Sequence, residues 1–179
     1  LIAEYKAVLG SPWARFIIVC VFFEAALLYA VLSFIGADLH LRFGLSFTMV
    51  GLVVGFFAIG GLLYTFAVRM LVNRLGQIGL VIAGGVLVSA GFLVLAFQPA
   101  WWFAPFATAL IGLGFYMVHN TFQTNATQMA PQARATALAL FSSALYMGIT
   151  AGVAAAAPVV DRFSAVPVFL TSAIGFPLI

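Results

Sequence analysis

Leu75-GQIGLVIAGGVLVSAGFLVLAFQPAWWFAPFATALIGLGFYMVHNTFQTNATQMAPQ-Ala133 runs for 59 residues without an Asp, Glu, Lys or Arg. A helix rises about 1.5 Å per residue and needs about 20 apolar residues to cross the roughly 30 Å hydrocarbon core of a bilayer. The stretch is therefore too long for one crossing and too apolar to face water. It divides at Gln98 and Pro99, because a proline in a helix interior removes a backbone donor and clashes with the preceding turn. Two spans result, 78–97 and 102–128, with Trp101 and Trp102 placed where indole rings prefer the lipid headgroups.

Working outward, the same count gives four more spans, at 16–36, 47–68, 135–160 and 165–179. Charged residues make up 6% of the chain and mean hydropathy is +1.23, against about 25% charged in an ordinary soluble domain. No alternation of lipid-facing and lumen-facing residues persists over strand-length segments, so the spans are read as helices and not as a barrel. The fold class is all-α membrane protein, divided into residues 1–15 and a six-helix transmembrane bundle, 16–179. The first span is too long for a signal peptide and lacks a small-residue cleavage site. The chain opens on Leu1 and stops at Ile179 within an apolar run, and is read as cut at both ends, its last helix truncated.

The basic residues orient the bundle. Lys6, Arg15, Arg69, Arg74 and Arg134 fall on one side of the membrane, Arg42 and Arg162 on the other. The positive-inside rule makes the first side cytoplasmic. These charges are dispersed at span ends and form no patch suited to nucleic acid. One cysteine, Cys20, excludes an intrachain disulfide, and no cluster of metal ligands stands out. Neither a metal nor an organic cofactor is expected.

Arg69-Met-Leu-Val-Asn73-Arg74-Leu75-Gly76-Gln77 joins the second span to the third. It resembles the cytoplasmic loop signature of the major facilitator superfamily, Gly-x-Leu-Ala-Asp-Arg-x-Gly-Arg. Leu71, Arg74 and Gly76 match, while Arg69, Asn73 and Gln77 replace the glycine, the aspartate and the second basic residue. Such weakened copies favour the C-terminal six-helix half of that fold. Tyr5 to Arg15 resembles the end of the central cytoplasmic linker. Asn120 to Phe141, with Pro131 and Arg134 at its turn, resembles the tenth helix and the start of the eleventh in bacterial drug and sugar efflux members.

The resemblance implies one half of a major facilitator superfamily fold, a missing N-terminal six-helix half, and substrate held between the two halves near the bilayer midplane. It further implies alternating-access transport of a small organic molecule, coupled to protons in the efflux direction, in a bacterial inner (plasma) membrane. Asn73, Arg74, Gly76 and Arg134 would serve the cytoplasmic loops. The residues leave two alternatives open, a six-span membrane enzyme and a channel. Ser89, Ser142 and Ser143 lack a nucleophile-elbow setting, and paired Asn-Pro-Ala motifs are absent.

Ionisable groups inside a span cost about 2.5–3.5 kcal/mol on insertion scales and invite a functional explanation. Glu24, about 13 Å beyond Arg15 along a helix, is expected to face the cavity and carry a proton or recognise a cation; the simpler alternatives are a hydrogen bond to a neighbouring helix or a position high enough for water to reach it. Tyr116, His119, Asn120, Gln123 and Thr127 share one helical face of the fourth span. They are expected to line the cavity, with interhelical bonding as the alternative. Ser143, Tyr146 and Thr150 repeat the pattern in the fifth span, where bonding to their own backbone is favoured. Gly148 and Gly152 permit close helix approach. Phe56, Phe57 and Phe115 are candidates for an apolar substrate surface.

Overall fold

The computed structural model describes residues 2–179, which are helical apart from short turns. Six α-helices follow in order: α1 (Ile2–Gly10), α2 (Pro12–Phe43), α3 (Phe47–Phe97), α4 (Ala104–Gln128), α5 (Arg134–Arg162) and α6 (Val166–Gly175). Short 3-10 turns at Trp101–Phe103, Pro131–Ala133 and Phe176–Leu178 join or extend them. The segment ahead of the first span is thus largely helical, and α2 begins at Pro12. Ser11 caps α2 by accepting from the Ala14 amide at 3.4 Å, and Pro12 occupies the first turn, where a missing N–H costs nothing.

α3 contains two of the expected spans. As one straight rod its 51 residues would reach about 77 Å, more than twice the hydrocarbon thickness. Gly76 breaks it, with φ 65° and ψ −177°, a backbone conformation that side chains with a Cβ resist. Two limbs, 47–75 and 77–97, meet at this turn.

The residues that touch fix their directions. Thr108 Oγ1 donates to the Val53 carbonyl at 2.9 Å, Gly60 packs on the backbone of Ala109 to Leu113, and Tyr64 stacks near Tyr116. The first limb therefore runs parallel to α4. Gly91 faces Ala107 and Ile111, Gly84 faces Gly114 and Val118, and Gln77 meets Asn125, so the second limb runs antiparallel to it. α4 lies between the limbs with a glycine contact on each side.

α2 and α5 form a second close pair. Gly148 abuts the Phe22 carbonyl and Gly152 the Ala26 carbonyl, so the two helices run parallel with almost no side-chain spacing. Such approach suits a lipid solvent, where helices associate through close packing because lipid tails are as apolar as leucine. α6 packs antiparallel on the second limb, with Ser89 Oγ donating to the Ala173 carbonyl at 2.6 Å and Gly85, one turn earlier, facing Pro177 beyond the end of α6. The two groups, α2 with α5 and α3 with α4 and α6, share one apolar core.

Two polar contacts close the ends. Opposite the N-terminal side, Arg42 donates to Asp38 Oδ2 at 3.2 Å and to the carbonyls of Leu95 and Gln98 at 3.4 and 3.3 Å, tying α2 to the second limb. On the N-terminal side, Val8 of α1 is buried with Ala14, Ala130 and Ala137. Glu4 there accepts from Thr136 Oγ1 at 2.6 Å, at the first turn of a helix without a side-chain cap of its own.

Candidate functional site

Glu24 sits midway along α2 and is fully buried. Its Oε2 lies 3.1 Å from Nδ1 of His119, in α4 and 95 residues away in sequence. Two residues singled out separately in the sequence thus meet. Oε1 has no hydrogen-bond partner among the described residues, an omission that burial makes costly.

The imidazole is held by aromatic rings from two helices. Phe115 stacks on it at 4.9 Å with an interplanar angle of 22°, and Phe141 of α5 covers it at 5.6 Å. Phe115 precedes His119 by one helical turn, which places the two rings on one face. The close α2–α5 packing at Gly148 brings Phe141 within reach. Three helices therefore converge here: α2 supplies the carboxylate, α4 the imidazole and one clamp, α5 the other.

The rest of the α4 stripe separates by height and direction. Tyr116 turns to the first limb, where its ring fills the space a side chain at Gly61 would need and lies 6.0 Å from Phe57 and 6.5 Å from Tyr64. Asn120 is half-buried, and its backbone carbonyl accepts from Thr124 Oγ1 at 2.8 Å. Gln123 is exposed, and Thr127 donates to the Thr124 carbonyl of its own helix at 2.6 Å. In α5, Ser143, Tyr146 and Thr150 are exposed, and Thr150 donates to the Tyr146 carbonyl at 3.0 Å. Phe56 is exposed, whereas Phe57 and Phe115 join the aromatic cluster.

The loop residues gather on the N-terminal side. Asn73, Arg74 and Gly76 are exposed around the Gly76 turn, and Arg134 opens α5. Gln77 Oε1 accepts from Asn125 Nδ2 at 3.2 Å, so a neutral amide pair joins this turn to the end of α4.

Three features had no signal in the sequence. Phe141 is one phenylalanine among nineteen until its contact with His119 is seen. Asp38 reads as a loop flank but is buried inside α2, one helical turn before Arg42. Gln98 marks a break in hydropathy, yet its side chain is buried with both amide atoms unpartnered among the described residues.

Residues 1–153 match the family model described as Major Facilitator Superfamily. The chain is also similar to the uncharacterized MFS-type transporter YceJ of Bacillus subtilis (strain 168), 27% identical over 158 residues. That alignment takes in 85% of this chain and 39% of the relative, so the chain spans about two fifths of the relative's length. No solved structure matches the chain at a significant level. Apolar helices of spanning length, the glycine-packed bundle and a family match over most of the sequence agree: the chain is an integral membrane protein of the major facilitator superfamily.

Proposed function

We propose that the chain is the C-terminal half of a secondary active transporter that exports a small organic molecule by alternating access in exchange for protons. Glu24 and His119 form its coupling pair. The observation that carries the reading is a carboxylate with no solvent exposure whose single polar partner among the described residues is a histidine on another helix. A sealed carboxylate is reached by a proton but not by an organic cation, which favours proton carriage over direct substrate recognition. Tyr116, Asn120 and Gln123 line the substrate path beside the pair. Asn73, Arg74, Gly76 and Arg134 form the cytoplasmic loops against an N-terminal six-helix half, in a bacterial inner membrane with α1 on the cytoplasmic side. The five-to-two distribution of basic residues supports that orientation.

The test uses the full-length carrier in liposomes and a panel of labelled small organic molecules, cationic and neutral. Any member of the panel showing counterflow serves as the probe. Glu24→Gln is expected to retain counterflow, which needs no proton, and to lose accumulation driven by an imposed pH gradient. Gradient-driven accumulation equal to wild type would exclude Glu24 from coupling.

A further inference from the structure

We infer that His119 is the proton port of Glu24: the imidazole takes a proton from the open side at Nε2 and passes the one on Nδ1 to the carboxylate. This rests on the reading of Glu24 as the coupling carboxyl. Within the pair, the exposed surface belongs to histidine alone, 14% of its side chain against 0% for Glu24. Nδ1 faces Oε2, and Nε2 makes no hydrogen bond to any described residue. The Phe115 and Phe141 rings keep the imidazole plane in place, so one nitrogen stays on the carboxylate while the other stays free.

No other route to the carboxylate is visible among the described residues. Cys20 and Tyr29 lie four and five residues from it on its own helix, and Tyr116 of α4 and Tyr146 of α5 lie on the helices packed around it. None of the four hydrogen-bonds to Glu24, and the Cys20 thiol is directed to the Ile179 carbonyl at 3.6 Å. A proton can move between water and Oε2 only along a chain of donors and acceptors, and among the described residues His119 is the one side chain hydrogen-bonded to it.

The transfer balances without a co-reactant. With the carboxylate ionised and the imidazole neutral, Nδ1 carries the hydrogen and donates to Oε2. A proton from water binds the Nε2 lone pair, and the Nδ1–H bond breaks as the O–H bond at Oε2 forms. A neutral acid then faces a neutral imidazole whose hydrogen is on Nε2, and one proton has moved from water to Glu24. Release is the reverse sequence. Because the pair opens at one end only, uptake and discharge share a port, and direction comes from which side of the membrane that port faces.

The experiment reads Glu24 without a transported substrate. After a pH jump on the full-length carrier in liposomes, the carboxylic-acid C=O stretch is followed by time-resolved infrared spectroscopy, with Glu24→Gln identifying the band. His119→Gln is expected to slow the growth of that band by about a hundredfold, within the range of general acid–base relays. Free imidazole added to His119→Gly is expected to restore the rate, which a purely structural role would not allow. A wild-type rate in His119→Gln, an absent response of His119→Gly to imidazole, or no Glu24-dependent band at all would each overturn the port. The coupling reading fails separately, if Glu24→Gln remains driven by the pH gradient while these kinetics hold.

Discussion

An ionisable group at the centre of a span costs about 2.5–3.5 kcal/mol to insert, and at Glu24 only one oxygen recovers part of that through His119. The two partners should then respond oppositely to substitution. Glu24→Gln keeps a hydrogen-bonding group and removes a buried charge, so the thermal midpoint in detergent is expected to hold or rise while coupling is lost. His119→Ala removes the carboxylate's partner, and the midpoint is expected to fall by the equivalent of about 1–3 kcal/mol. Equal destabilisation by both would contradict this arrangement. Each residue was legible alone in the sequence, Glu24 as an isolated acid and His119 as part of a polar stripe. Their pairing was not, because hydropathy and helical period describe one helix at a time, whereas this contact joins helices 95 residues apart.

At the scale of elements, glycine sites differ by what surrounds them. A methyl at Gly112 would strike the Phe57 backbone, which cannot yield as a flexible side chain can, whereas at Gly85 the nearest atom would be Pro177 Cα at 3.7 Å, an ordinary contact. Gly112→Ala is expected to destabilise by about 1–3 kcal/mol, and Gly85→Ala to leave thermal unfolding nearly unchanged. Gly76→Ala tests the turn: there is open space around it, so its cost, about 1–3 kcal/mol, comes from a backbone conformation of positive φ and extended ψ that is essentially glycine's own. Five apolar blocks were legible because each is long enough to cross a bilayer, whereas the sixth, 165–179, is shorter and helical over Val166–Gly175. That the turn between the second and third narrows to the single residue Gly76, and that the residues before the first span are helical, could not be read from hydropathy, which registers contact with lipid and not backbone conformation.

For the whole molecule, α2 packs tightly on α5, and α4 packs tightly between the limbs of α3, whereas polar contacts between the two groups are few. Arg42 provides one of them, reaching from α2 to the end of the second limb. Arg42→Ala leaves Asp38 buried without its cation and is expected to cost about 2 kcal/mol; Asp38→Asn in that background should recover part of the loss. Thermal unfolding of the single and double variants checks both outcomes, and additive losses would argue against the pairing. Family membership was legible through the order of weak motifs. The division into two glycine-packed groups was not, since it depends on which helix faces meet.

Gly112 and Gly114 bring α4 against both limbs of α3, as Gly148 and Gly152 bring α5 against α2. Lipid supplies no hydrophobic force to hold the remaining boundary shut, so relative sliding of the two groups is resisted mainly by shape and by the links at Arg42 and His119. The bundle then behaves as two stiff plates in an oily bearing, fastened by a pin at the rim and another at the centre. On the proposed coupling role of Glu24 and His119, moving one proton at the central pin would change how freely the plates slip.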